Sequence, residues 1–306
     1  MVLALTSYAQ QEEVYTTFMY NKVHINPAYA GATGRPELTF VGKGQWLGLE
    51  GAPNSQVITF NMPLANQRIG IGGGVVRNSI GPSVNYTGEL SYAYRIPLGR
   101  GYLGIGVQGS IRFLRVDFSQ VQGNTPIDGD NAVPPGMQSK YVPNFGAGIY
   151  YDTDRFYVGF SVPRILENSI DLSDSETPLT REVIHYYGIL GASFDLGESV
   201  VMQPQAILRF TANTPFDGDF NVNFMFVQRF MAGLSYRLGG SRISGIGESI
   251  SLLGGLNITP NLFFGVTYGY GLSELSDQHS GSIEGVLRVM FGKATEGEEF
   301  LNPRFF

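Results

Sequence analysis

The chain has 306 residues, a formal net charge of -6 and no cysteine, which removes disulfides, thiolate nucleophiles and cysteine metal sites at once. Only 15% of residues are charged, while Gly (41), Phe (21) and Tyr (17) are abundant; the scattered basic residues leave no footprint for nucleic acid. No apolar run approaches the roughly 18 residues of a membrane-spanning helix, which is also what a chain crossing as strands would show.

The first residues, MVLALTSYAQ, combine a short apolar run with small residues at Ser7 and Ala9. This predicts the remnant of a secretory signal peptide over 1–9, although the basic start of such a peptide is missing. Residues 10–35 follow as an N-terminal segment placed on the periplasmic side. Within it, Asn26-Pro27 forces extended backbone before the proline. That suits either a segment crossing the barrel mouth or lumen, or a rigid lead-in to the first strand.

From about residue 36 to residue 292 the chain alternates. In SVNYTGELSYAYRI, Val84, Tyr86, Leu90, Tyr92, Tyr94 and Ile96 share one face, and Ser83, Asn85, Thr87, Glu89, Ser91 and Arg95 share the other. A period of two belongs to a strand with one oily and one wet side. Fourteen such strands are predicted, at 36–43, 55–63, 68–77, 83–96, 101–117, 141–151, 156–163, 183–195, 200–211, 219–227, 230–237, 249–258, 262–270 and 281–292. The fold class is therefore all-β, an antiparallel transmembrane β-barrel of the outer-membrane type over 36–292. Oily residues would face lipid, and Gly, Ser, Asn and Gln would face the lumen. Glycines such as Gly70, Gly72 and Gly74 permit either strong bending or the close approach of a plug.

Connections after even-numbered strands are short; those after odd-numbered strands are longer, the largest near 118–140 and 164–182. Only Ile80-Gly81-Pro82 breaks the rule. Short turns on one rim and long loops on the other predict a barrel with both termini in the periplasm. A C-terminal tail, 293–306, runs on beyond the last strand and either docks below the barrel or is free.

Catalytic chemistry is not legible. His24, His185 and His279 are far apart, and no Gly-x-Ser-x-Gly elbow occurs. IGIGGG at 69–74 lacks the Lys-Ser/Thr of a phosphate loop and alternates like a strand. Asp128, Asp130, Asp171, Asp174 and Glu176 match no calcium-loop pattern, and Asp152, Asp154 and Arg155 read as a polar turn. No catalytic, cofactor or metal residue is assigned, and the chain is read as a non-enzyme.

One stretch is unlike a porin. Phe18-Met19-Tyr20-Asn21 and Ile25-Asn26-Pro27-Ala28-Tyr29-Ala30-Gly31 are followed by Gln45-Trp46, Gly48, Glu50-Gly51-Ala52-Pro53 and Gln56. Then come Ile80-Gly81-Pro82, LSYAYRIPL at 90–98 and the terminal Pro303-Arg304-Phe305-Phe306. In these motifs the chain resembles the PorP/SprF family of the Bacteroidetes type IX secretion system. The resemblance implies an integral outer-membrane barrel linked to protein secretion and gliding motility, with the termini periplasmic. It implies as partners a secreted surface protein, such as an adhesin, with a type IX C-terminal sorting domain, and periplasmic ring or peptidoglycan-associated secretion subunits. Outer-membrane lipid surrounds it, and no nucleic acid is expected. The alternative is an outer-membrane channel for a small solute. Candidate structural or partner-contact residues are Asn26, Pro27, Tyr29, Gly31, Trp46, Gly51, Pro53, Gly81, Pro82, Arg304, Phe305 and Phe306. Trp46 suits packing or interfacial anchoring, or an exposed cargo contact.

Overall fold

The computed structural model describes residues 14–120, 136–172, 181–212, 214, 216–239, 247–272 and 280–292. Fifteen strand segments follow an N-terminal stretch of short turns. They are β1 (Glu37–Gly44), β2 (Asn54–Leu64), β3 (Ile69–Ile80), β4 (Ser83–Leu98), β5 (Gly101–Asp117), β6 (Met137–Asp152), β7 (Phe156–Val162) and β8 (His185–Ala192). Then come β9 (Phe194–Asp195), β10 (Val200–Thr211), β11 (Asp217–Phe226), β12 (Phe230–Leu238), β13 (Ser249–Thr259), β14 (Leu262–Gly271) and β15 (Ser282–Met290). β8 and β9 are one stave interrupted at Ser193, since both pair with β10. The barrel thus has the fourteen staves that the alternation predicts.

Every neighbour is antiparallel, and β1 closes the sheet on β15 from Glu37↔Met290 to Gly44↔Ile283. Closure leaves no sheet edge running the height of the wall, which hydrocarbon would penalise by several kcal/mol per unpaired amide group. The inside–outside assignment also follows the pattern. On β4, Tyr86, Tyr92 and Tyr94 are exposed and Leu90 is 73% exposed, whereas Thr87, Glu89, Ser91 and Arg95 are buried. A leucine that bare to its surroundings is at home only against lipid. Aromatic residues ring the outer surface twice. Tyr141, Tyr186, Phe210 and Tyr270 lie toward the long-loop end, and Phe156, Phe194, Phe226 and Phe230 toward the short turns. Such paired girdles mark the two water interfaces of an outer-membrane barrel.

The wall is uneven in height. β5 and β6 stay paired from Tyr102↔Asp152 up to Asp117↔Met137. β6 and β7 pair only from Asp152↔Tyr157 to Ala147↔Val162, and β7 and β8 only from Phe156↔Ala192 to Ser161↔Tyr187. Above β7 the neighbour of the taller β6 is therefore the loop after Val162, bonded to it at Phe145, Pro143 and Lys140.

Candidate functional site: a lumen filled by the N-terminal segment

Residues 14–35 lie inside the barrel. They form 3-10 turns at Phe18–Tyr20 and Pro27–Tyr29 around a single α-turn, α1 (Lys22–Ile25). Asn26 is extended, as its proline requires, and its side chain accepts from Ala28 N to cap the second 3-10 turn. Phe18, Met19, Tyr20, Val23, Ala28, Tyr29 and Ala30 are all buried, and they share a core with apolar residues of the inner wall such as Val41, Val57, Tyr150, Tyr157, Ile189 and Phe263.

The segment descends through the lumen. Near the long-loop end, the Lys43 ammonium donates to Val14 O, and the Glu284 carboxylate accepts from Thr16 N (2.9 Å), Thr17 N (2.8 Å) and the Thr17 hydroxyl. Midway, Thr59 Oγ1 donates to Asn21 Oδ1 (2.7 Å) and His24 Nδ1 meets Glu89 Oε1 (2.8 Å), while the Tyr20 ring packs on Phe263, beside a short turn, at 4.5 Å. Lower down, Asn26 Nδ2 donates to Ile149 O (2.9 Å), and Ser161 Oγ to Ile25 O (2.7 Å). At the short-turn end, Gly31 N donates to Asn61 Oδ1 (2.6 Å) and Arg95 Nη1 to Gly31 O (2.7 Å). These contacts reach β1, β2, β4, β6, β7, β14 and β15, so the segment is tied across the lumen rather than laid along one wall.

Glycines make the seat. A Cβ on Gly70 would meet Ala30 O at 1.9 Å, one on Gly72 would meet Val23 Cγ2 at 2.5 Å, and one on Gly106 would meet Ala28 N at 2.3 Å. Bending alone would not require this match between inward glycines and plug backbone. The sequence reading of Gly70 and Gly72 as seats for a plug is the one the geometry supports.

Charge is compensated locally. Arg95 Nη2 pairs with Asp152 Oδ1 at 2.7 Å, and Arg209 grips Asp217 with two nitrogens. Asp219 receives both Arg209 and Arg237. Asp152, expected in a polar turn, instead ends β6 inside the lumen with its side chain buried. A cavity of about 30 Å³ remains beside the plug, lined in part by Tyr15, His24, Arg164 and Arg209. That is room for a few waters and far below a solute site.

The sequence-level candidates fall into two groups. Asn26, Pro27, Tyr29 and Gly31 belong to the plug. Trp46, Gly51, Pro53, Gly81 and Pro82 gather at the long-loop rim, in the loop 45–53 and the β3–β4 turn. There Gly81 N donates to Gly51 O (2.8 Å), Gln45 N to Pro53 O (2.9 Å) and Asp117 N to Pro82 O (3.1 Å). Gly51 and Gly81 both have left-handed φ, 71° and 51°, and Trp46 shares that region at 51°. Leu47 ties the same loop to Ser280 and Gly281. Trp46 is half-buried within this brace. Arg304, Phe305 and Phe306 lie outside the described residues, as do residues 1–13 and the tail 293–306. The described chain begins with Val14 in the long-loop half of the lumen and ends with Gly292 at the short-turn rim. Sequence reasoning did not single out the wall residues that hold the plug: Glu284, Asn61, Thr59 and Ser161. Their only signal is a polar or charged residue at an inward-facing strand position.

A family model described as "Type IX secretion system membrane protein PorP/SprF" matches residues 7–289. Curated proteins yield no match. Among solved structures, the Pseudomonas putida toluene transporter TodX is similar, with a TM-score of 0.52 and 10% identity, covering 92% of this chain and 99% of that one. The Ralstonia pickettii toluene transporter TbuX (TM-score 0.49, 10% identity, 88% and 93% covered) and Acinetobacter baumannii Omp33 (0.45, 10%, 84% and 98%) are further examples. At such identity the TodX likeness is one of fold alone.

Proposed function

Because this chain belongs to the PorP/SprF family of type IX secretion system membrane proteins, we propose that it holds a secreted surface protein at its long-loop rim through that protein's C-terminal sorting domain. The short-turn rim and the C-terminal tail then face the periplasm and meet the ring or peptidoglycan-associated subunits of the machinery. The chain is a non-catalytic outer-membrane component of type IX secretion.

The observation that carries the docking reading is the filled lumen. A barrel bonded across its lumen to its own residues 14–35 is obstructed by them in this state. What it offers is a rigid membrane anchor with two rims. The braced loop 45–53 stiffens the long-loop rim, which favours recognition over passage. A solute channel would require the plug to leave, against buried hydrogen bonds along its length.

The test is a mild-detergent pulldown from outer membranes of the native host, with an affinity tag in the 165–180 loop. Recovery of a large protein with a type IX sorting domain, or of periplasmic ring subunits, is expected. A barrel recovered alone, and conducting ions in a planar bilayer, would replace this reading with the channel.

A further inference from the structure

Above β7 the edge of β6 is met by the loop after Val162 rather than by a strand. Phe145 O accepts from Ile165 N (2.8 Å), and Pro143 O accepts from Asn168 Nδ2 (2.8 Å), so odd-numbered β6 residues turn their peptide groups toward the β7 side. Alternation then aims the N–H and C=O of Ser139 and Tyr141 the same way, because residues facing one neighbour in a ladder recur every second position. β7 stops at Val162, opposite Ala147. Below Pro143 the edge is stoppered: Asn144 Oδ1 accepts from Phe145 N, Ile165 N and Leu166 N, and Asn144 Nδ2 donates to Leu166 O. Above it, Lys140 reaches the loop only with its side chain, to Ser169 Oγ (3.5 Å) and Asp171 O (3.0 Å). Among the described residues no group bonds the β7-facing backbone of Ser139 or Tyr141.

We infer that Met137–Val142 is a strand-addition site, and that its occupant is an extended segment of the secreted partner. Two N–H and two C=O groups spaced two residues apart match a β-strand and little else. The site stands at the long-loop rim, where the docking reading places the partner, and the inference rests on that reading. Its outward flank offers the Phe113–Tyr141 ring pair, 4.7 Å between centroids, for an apolar side chain. Arg115, exposed and in register with Ser139, selects a carboxylate on the same face of the added strand. Pro143, lacking an N–H, sets the lower limit of the pairing.

The experiment uses the full-length barrel in detergent and, as probe, the purified C-terminal sorting domain of a type IX cargo from the same organism. Ser139→Pro and Tyr141→Pro each remove one edge donor while sparing the β5 ladder, and each is expected to weaken binding by about tenfold. Tyr141→Thr, which keeps the donor, should weaken it less. Because the chain has no cysteine, Ser139→Cys carrying a benzophenone should give a cross-linked adduct with the domain. Val84→Cys, on a strand paired on both sides, should not. If the proline variants do not fold, as judged by heat-modifiable gel mobility, the adduct decides. A domain that binds but ignores both prolines and gives no adduct at 139 overturns the edge site alone. An adduct between two barrels overturns it in favour of a second copy. A domain that fails to bind the unaltered barrel overturns the edge site together with the docking reading.

Discussion

Arg95 and Asp152 form an ion pair sealed inside the lumen, 2.7 Å from Nη2 to Oδ1, with each side chain only 1% exposed. The other terminal nitrogen of the same guanidinium holds Gly31 O at 2.7 Å. One arginine on β4 thus joins the end of β6 to the lower end of the plug. Removing its carboxylate leaves a charge buried and uncompensated, which costs on the order of 3–5 kcal/mol. Asp152→Ala should therefore lower the urea stability of the refolded barrel by that amount, and Asp152→Asn, which keeps an acceptor, by less. Two variants indistinguishable from the parent would show that the pair contributes nothing to holding the plug.

The glycine seat makes a sharper contrast. A methyl at Gly106 has no space against Ala28, whereas one at Gly109 on the same strand meets nothing within 4 Å. Overpacking of this kind costs about 1–3 kcal/mol. Gly106→Ala should loosen the plug and Gly109→Ala should be neutral. The reporter is Ala32→Cys, a position with no exposure in the intact barrel. Its thiol should label slowly in the parent and in Gly109→Ala, and markedly faster in Gly106→Ala. Equal rates in all three would mean that the plug does not depend on this seat.

The barrel wall was legible because its information is local. Alternation within ten residues assigns Leu90 and Tyr92 to lipid and Glu89 and Arg95 to the lumen without knowledge of any partner strand. The plug was only partly legible. Asn26-Pro27 announces an extended residue, but its contacts, Ile149 and Phe160, lie more than a hundred positions away. The inward glycines carried the clearest advance notice, since a run of small inward residues leaves volume that something must fill. Asp152 misled because a carboxylate beside Thr153, Asp154 and Arg155 has turn chemistry; only its register opposite Tyr102 on the paired wall puts it inside. The early end of β7 was hidden for a different reason. β6 alternates over its whole length whether or not a neighbour accompanies it.

If the plug closes the lumen, its removal should open it. The intact barrel should show no stable ion conductance in a planar bilayer. A barrel lacking residues 14–35 should conduct, because its inner wall carries polar side chains such as Asn61, Glu89, Gln203 and Asn223. Conductance of the intact barrel equal to that of the deletion would show that the segment does not seal it. That result would return the solute-channel reading to first place.

The lipid-facing belt predicts a gradient along one strand. Leu90 sits midway along β4, between Gly73 and Gly109, and Leu98 is the last residue of the same strand, beside the short turn to Gly101. Both point outward and both are exposed. A cationic side chain costs about 2–4 kcal/mol at the bilayer midplane and only about 0–1 kcal/mol at the interface, where it snorkels to water. Leu90→Arg should therefore be strongly destabilising for folding into lipid vesicles, and Leu98→Arg nearly silent. In a soluble barrel the order would vanish, because both positions would already face water. Reversible unfolding from vesicles, followed by tryptophan fluorescence of Trp46 and by gel mobility, measures the difference. Equal stability of the two variants would remove the depth assignment of β4, and with it the placement of the long-loop rim at one face of the membrane.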